Sequence, residues 1–184
     1  MARVAYPQPE TLSAKARDQL AQLGTLNITR MMSHHEGIMA AVARLGSELL
    51  VRGSLEPTLR ELVILRIGQL CKSAYERHQH LSVARAVGVS ESKLQALDSG
   101  DLGVFTAREE LAIRVADEIH GLGGATEPTL RRCGAHFTQG QLVELCILAG
   151  YYVMLASFLA SFDIEIEATP PLGESLDKLA GFEA

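Results

Sequence analysis

The chain has 184 residues, a length that favours a single domain, residues 1–184, with enough chain to bury a core. Apolar residues make up 47% of it, which indicates that apolar surface is covered between subunits and predicts a homo-oligomer. The formal net charge is −5 and lysine and arginine form no cluster, so the sequence lacks the basic footprint of a nucleic-acid-binding protein and the polybasic segment of a membrane-surface protein.

Cysteine usage and the N-terminal residues predict a cytoplasmic protein. The three cysteines, Cys71, Cys133 and Cys146, are scattered and odd in number, which argues against a disulfide framework and favours a reducing compartment. The first twenty residues contain no apolar stretch typical of a signal peptide, so none is predicted.

Apolar residues recur at helical spacing along nearly the whole chain, while strand-like alternation is nearly absent, so the predicted fold class is all-α. Gly53 and Gly88 are typical helix ends, Ser73 is a typical helix start, and Thr106 with Glu109 forms the T-x-x-E pattern of a capping box. The predicted helices, in chain order, are 12–23, 27–32 with Asn27 as cap, 36–51, 58–72, 74–87, 91–97, 106–120, a short helix capped by Thr126, and one capped by Thr138 that ends at Phe162.

Two stretches depart from this amphipathic pattern. Residues 145–162 carry no charge and reach the lower length limit for a membrane span. Because no basic residue flanks them, we predict a central helix buried on all sides rather than a span. The acidic tail, residues 168–184, is predicted to lie on the surface or to fray.

An acid and an imidazole stand four residues apart within an otherwise apolar helix. Glu76 and His80 therefore share one helix face, an arrangement suited to proton transfer. A buried hydrogen-bonded pair without chemistry fits the same spacing. His78 lies two residues from each and faces elsewhere on a regular helix, so a metal site at His78-x-His80 is not predicted.

Residues 60–88 resemble the core of the carboxymuconolactone decarboxylase family, which also contains the alkylhydroperoxidase AhpD proteins. The likeness follows the family order of an E-L-x-x-L segment, an aromatic–acid pair, a histidine and a G-[VL]-[ST] helix end, here Glu61-Leu62, Tyr75-Glu76, His80 and Gly88-Val89-Ser90. It extends over roughly residues 27–167, the expected core of the domain. The resemblance implies an AhpD-like bundle of about seven to nine helices that assembles as a homotrimer or homohexamer.

The sequence departs from the peroxidase branch of that family at its cysteine pair. Aligned on Glu61 and His80, the two C-x-x-C positions hold Ser73 and Glu76, and neither side chain can form a thiolate or a disulfide. Cys71 has no partner at this spacing. The chain is thus similar to the decarboxylase-type branch, in which acid–base groups replace the thiols.

The resemblance also implies a set of site residues. Glu61 is expected to approach His80 and orient its imidazole, although an acid in the first turn of a helix is also favoured by the helix dipole. Tyr75 lines the pocket or packs in the core. Because a decarboxylase needs a cation for the substrate carboxylate, Arg66 and Arg30 are predicted as anchors, with a salt bridge and a surface position as the respective alternatives.

The pair His34–His35 adds a last candidate, since only one of two adjacent histidines can face inward, and His35 is assigned to the substrate pocket. The predicted function is a decarboxylase or related lyase, free of metal and cofactor, acting on a small carboxylated, ring-derived metabolite of aromatic-compound catabolism. Catalysis is assigned to Glu76, His80 and Glu61. The alternatives are an alkylhydroperoxidase, disfavoured without C-x-x-C, and a non-catalytic oligomeric binder of small ligands.

Overall fold

A computed structural model describes residues 2–24 and 26–167, and this part of the chain contains nine α-helices and no strand. The predicted all-α class is confirmed. The helices are α1 Ala14–Gln22, α2 Asn27–Met32, α3 Glu36–Ser47, α4 Pro57–Leu70, α5 Ala74–Ala86, α6 Glu91–Ser99, α7 Ala107–Leu122, α8 Glu127–Cys133 and α9 Gln139–Phe162.

Most predicted helix starts are confirmed by the side chains that cap them. The hydroxyl of Ser73 accepts a hydrogen bond from the backbone N–H of Glu76, and Ser90 caps α6 in the same way. Thr106 and Thr138 both form full capping boxes. These caps satisfy N–H groups that the first helical turn leaves without a partner.

Two details of the prediction differ from the structure. Asn27 is the first residue of α2 rather than its cap, because its side chain is bonded to the backbone carbonyl of Glu165 and to Arg30. The predicted helix 36–51 divides into α3 and a π-helical turn, Glu48–Arg52. The sequence pattern continues through this turn, so periodicity alone does not reveal the change of winding.

The central helix of the fold is α4. It packs against α5, α7 and α9, and its residues are buried around the whole circumference from Leu59 to Leu65. A helix that is covered on all sides must find partners for any charged group it carries. Arg60 and Glu61 are such groups, with 5% and 0% of their surface exposed.

The prediction that residues 145–162 form a helix buried on all sides is wrong in its second part. The side of α9 that faces α4 and α7 is buried, whereas Val143, Ile147 and Met154 on its other side are 65%, 48% and 46% exposed. By length and composition α9 could cross a membrane, and 44% of its most apolar stretch is buried within the protein. The predicted tail, 168–184, lies outside the described residues.

Candidate active site

An apolar cavity of about 90 Å³ lies among α2, α3, α5 and α9. Most of its wall consists of aliphatic side chains, and its ionisable groups are confined to α5 and the tyrosines of α9. The lining residues are Leu23, Leu26, Ile28, Thr29, Met32, Met39, Val42, Ala43, Gly46, Leu50, Tyr75, Glu76, Gln79, His80, Tyr151, Tyr152 and Leu155.

The capped start of α5 places the acid and the imidazole on the cavity wall. Ser73 fixes the first turn of the helix, and Glu76 and His80, one turn apart, both line the cavity while remaining 4% and 3% exposed. Helix α4 approaches closely here because Gly68 has no side chain: a Cβ at this position would lie 3.5 Å from that of Glu76. The face shared by Glu76 and His80 is therefore confirmed.

His80 lies between two carboxyl groups. Its Nδ1 is 2.8 Å from Oε2 of Glu61, a hydrogen bond in which the imidazole donates to the carboxylate. Its Nε2 is 3.7 Å from Oε2 of Glu76, which is beyond hydrogen-bond distance. Nε2 therefore lies on the side of the ring that faces Glu76 and the cavity. Nδ1, on the opposite side, is bound to Glu61.

The guanidinium of Arg60 is a buried positive charge next to Glu61. Nε of Arg60 lies 3.6 Å from Oε1 of Glu61, on the carboxylate oxygen that does not bind His80. No hydrogen-bond partner among the described residues contacts this Nε or Oε1 of Glu61. Arg60, Glu61 and His80 therefore form a sequence of buried charges that leads from α4 to the cavity.

Burial sets the proton affinity of the two cavity groups. It raises the pKa of Glu76 to about 7, an effect that the charge of His80 opposes and the charge of Glu61 increases. Burial lowers the pKa of His80, but the charge of Glu61 and its hydrogen bond outweigh burial, so the net pKa is raised. Near neutral pH, Glu76 and His80 can therefore each hold or release a proton.

Three tyrosines support this arrangement. The ring of Tyr152 meets His80 edge to face at a centroid distance of 5.0 Å, and Tyr151 packs against Tyr152 at 5.4 Å. The hydroxyl of Tyr151 donates to the backbone carbonyl of Val42, and that of Tyr75 donates to the carboxylate of Glu167. Burial raises the pKa of Tyr75, Tyr151 and Tyr152, so all three hydroxyls keep their protons.

The structure brings four of the predicted site residues together and leaves three elsewhere. Glu61, Glu76, His80 and Tyr75 lie at or directly behind the cavity. Arg66 instead binds Asp117 of α7, with Nε 2.6 Å from Oδ1. A salt bridge was the alternative to a role of Arg66 as substrate anchor. It forms because Arg66 faces α7 rather than α5.

The other two predicted substrate contacts also have local partners. Arg30 bonds to Asn27, and its guanidinium lies 4.4 Å from the ring centroid of Tyr6. His35 is exposed and caps α3 by accepting the N–H of Ile38. Neither side chain lines the cavity. His78 is exposed, as its position on α5 predicted.

Several residues at the site were not assigned a role from the sequence. Arg60 is next to Glu61 in the sequence, and Gln79 lies one helical turn after Tyr75. Their positions on the two helices could therefore have indicated that both lie near the site. Tyr152 and Glu167 come from the far end of the chain, and only the packing of α9 brings them near α5. Within 2–24 and 26–167, no cluster of three or more His, Cys, Asp or Glu is arranged to hold a metal ion.

Part of the chain matches a known family model. Residues 36–118 match the model described as the carboxymuconolactone decarboxylase family. The uncharacterized protein YnjA of Escherichia coli K12 is 31% identical over 115 residues. This alignment covers 61% of the present chain and 63% of YnjA, so the chain spans less than two thirds of the length of that relative.

Solved structures show the same fold. A peroxidase-related protein of Ralstonia eutropha JMP134, described as an AhpD core, aligns with a TM-score of 0.79 over 91% of this chain and 93% of its own, at 12% identity. The debrominase Bmp8, in a complex with 2,3,4-tribromopyrrole, aligns with a TM-score of 0.72 over 96% and 97% at 16% identity. The fold is thus of the AhpD type, and residues 36–118 match the model of the carboxymuconolactone decarboxylase family.

Proposed function

We propose that this protein is an acid–base enzyme of the lyase type that transfers a proton to or from a small carbonyl compound bound in the cavity. The observation that carries the proposal is the buried contact of His80 with Glu61, which leaves the other ring nitrogen on the side of the cavity and of Glu76. Structural histidines in cores also bind carboxylates. Here, however, two acids flank one imidazole at the wall of a cavity, an arrangement that suits proton transfer.

Each residue has a distinct role in this scheme. His80 is the proton donor or acceptor, acting through Nε2. Glu61 is a positioning residue that keeps the hydrogen on Nδ1 and stabilises the imidazolium. Glu76, protonated in part near neutral pH, donates a hydrogen bond to the carbonyl oxygen on which negative charge develops.

Decarboxylation is the reaction we propose first. The carboxyl group, bound in its neutral form, passes its proton to Nε2 of His80, the bond between the carboxyl carbon and the neighbouring carbon breaks, carbon dioxide leaves, and the electron pair moves to the carbonyl as an enolate. His80 then delivers a proton to the carbon. General acid catalysis of this kind contributes typically about 10²–10⁴-fold.

The comparisons support enzymatic chemistry without fixing the reaction. Bmp8, which shares the fold, is described as a debrominase and was solved with a small halogenated ring. Peroxide reduction through a cysteine pair is not proposed, since no two cysteines of this sequence stand at C-x-x-C spacing.

We also propose a cytoplasmic homo-oligomer, a trimer or hexamer. Apolar side chains exposed along α9, namely Val143, Ile147 and Met154, support this assembly because such a row is typically covered by another subunit. Measurement of the molar mass by light scattering tests it. A monomer at micromolar concentration contradicts the proposal.

Turnover of β-keto acids and carboxylated lactones, followed by release of carbon dioxide, tests the proposed reaction. We expect release by the wild-type protein and its loss in His80→Ala and Glu76→Gln. The matched control is Glu91→Gln. It removes an exposed carboxylate of α6 that is bound to Arg85. Equal rates in wild type and His80→Ala, with both proteins folded, would eliminate the proposed role of His80.

A further inference from the structure

The charges around the cavity do not suit an anionic ligand. No lysine or arginine is among the described residues that line it. Arg60, the nearest cation behind the wall, already faces Glu61, and the positive charge that His80 carries when protonated lies 2.8 Å from the same carboxylate. Glu76 adds either no charge or a negative one. A bound carboxylate would therefore meet no uncompensated positive charge.

One polar atom of the wall lacks a partner. Oε1 of Glu76 is buried and has no hydrogen-bond partner among the described residues, while its Oε2 is 3.7 Å from His80. A buried oxygen without a partner is costly unless a ligand or water satisfies it. As a protonated acid, Glu76 can donate a hydrogen bond to a ligand oxygen, whereas a ligand carboxylate would compete with it for the proton.

The size of the cavity limits the ligand further. A cavity of about 150 Å³ holds a benzene ring, and this one measures about 90 Å³. It therefore suits a compact group of a few carbons. Met39, Val42 and Leu50 contribute only apolar side chains to its wall.

We infer that the cavity takes a compact, uncharged molecule whose carbonyl oxygen lies at Glu76 and whose carbon atoms contact the apolar wall; a substrate of the proposed decarboxylation carries its carboxyl group in addition to this carbonyl. This inference rests on the proposed site and narrows its substrate class: a carboxylic acid would be bound in its neutral form. The charged and titratable groups that interact with Glu76 come from three helices and their ends: Tyr75 and His80 of α5, Glu61 of α4 and Cys71 at its end, Tyr151 and Tyr152 of α9, and Glu167 beyond it.

Two probes of equal shape test the inference by binding alone. Cyclopropyl methyl ketone and cyclopropanecarboxylate share the cyclopropyl ring and its carbonyl group. They differ at one position, where the ketone has a methyl group and the carboxylate has a charged oxygen. Labelled methionine methyl groups report their binding by NMR, because Met32 and Met39 line the cavity, whereas Met154 is exposed on α9 and serves as the internal control.

We expect the ketone to shift Met39 and not Met154, with a dissociation constant on the order of millimolar for so small a molecule. Ketone binding should be tightest at about pH 6, where Glu76 is largely protonated and can donate its hydrogen bond. At pH 8, where Glu76 is largely ionised, both probes should bind more weakly, and the carboxylate should bind at least about tenfold more weakly than the ketone. Glu76→Gln should keep ketone binding, since the amide still donates a hydrogen bond. It should also reduce the difference in affinity between the ketone and the carboxylate. Glu91→Gln should change neither.

Carboxylate binding at Met39 as tight as that of the ketone would overturn the inference, and so would the absence of any shift at Met39 with both probes. Because the measurement needs no turnover, it is separate from the proposed function. A ketone-selective cavity without carbon dioxide release would remove the decarboxylase and keep the ligand class. Release of carbon dioxide together with tighter binding of the carboxylate would keep the decarboxylase and overturn the inferred ligand class.

Discussion

Glu61 and His80 are nineteen positions apart and lie on different helices, yet Oε2 of the carboxylate is 2.8 Å from Nδ1 of the imidazole. Both side chains are almost completely buried, at 0% and 4% exposure. The contact fixes which nitrogen of His80 carries its hydrogen and which one remains on the cavity side. The chemistry proposed for the site depends on this contact.

Replacing Glu61 with glutamine should lower the pKa of His80. The charge of Glu61 and its hydrogen bond are the two factors that raise this pKa against burial, and the amide supplies neither a negative charge nor an equally strong acceptor. The variant should also lose about 1–3 kcal/mol of stability. Titration of the His80 ring by NMR measures the first effect, and denaturant unfolding the second.

The exposed residue His78 provides the control in the same spectra, because it lies on the same helix outside the cavity. The NMR signals of its ring should coincide in the spectra of the two proteins. An unchanged titration of His80 in Glu61→Gln would show that the contact does not set its proton affinity.

The free energy of unfolding should fall as pH rises from 5 to 8. Glu76 has a pKa of about 7 in the folded protein, above its unfolded value, so the folded state holds a proton that the unfolded state has lost. The raised pKa of His80 acts in the same direction, since its contribution is complete below the unfolded pKa and is lost as pH rises through the folded pKa.

Glu76→Gln should remove most of this dependence and stabilise the protein at pH 8 by roughly 2–3 kcal/mol. Thermal unfolding of both proteins across this pH range measures the effect. A pH profile of Glu76→Gln parallel to that of the wild type contradicts the assignment of the titration to this residue.

Gly46→Ala should destabilise the protein and narrow the cavity. A Cβ at Gly46 would lie 2.7 Å from the hydroxyl oxygen of Tyr151, which is held in place by its bond to Val42. We expect a cost of about 1–3 kcal/mol and weaker binding of the ketone probe.

Gly150→Ala is the matched control for this substitution, because Gly150 is also inside a helix but has no heavy atom within 4 Å of the added Cβ. Alanine should stabilise the protein there by about 0.5–1 kcal/mol. Equal effects of the two substitutions on stability and on probe binding would rule out crowding at Tyr151.

Tyr75 and Glu167 should prove energetically coupled. The carboxylate of Glu167 accepts hydrogen bonds from Tyr75 and from Nε2 of Gln79, and it also binds the backbone N–H of Asn27. It thereby joins the start of α2 to α5 at the cavity wall. In a double-mutant cycle of Tyr75→Phe and Glu167→Gln, we expect a coupling of about 0.5–3 kcal/mol.

Hydrogen exchange at the amide of Asn27 offers a local measurement of the same contact. Exchange should be faster in Glu167→Gln and unchanged in Ser161→Ala, whose hydroxyl donates to the backbone carbonyl of Ser157. Additive effects of Tyr75→Phe and Glu167→Gln, with no change at Asn27, would mean that this contact does not hold α2 in place.

The amino-acid sequence determined the helices and the face that Glu76 shares with His80. Both follow from local rules: helical spacing of apolar residues, and caps such as Ser73, Thr106 and Thr138. Local rules act over one or two turns, so a pattern four residues long is enough to place two side chains side by side.

The tertiary structure alone decided which groups meet the cavity. Arg66 and Arg60 lie on the same helix, and either could have been the charge beside the site, but the packing of α4 turns Arg66 toward Asp117 and leaves Arg60 behind Glu61. Tyr152 reaches His80 only because α9 packs on α4. Such contacts depend on how whole helices fill the core, which spacing along one helix cannot specify.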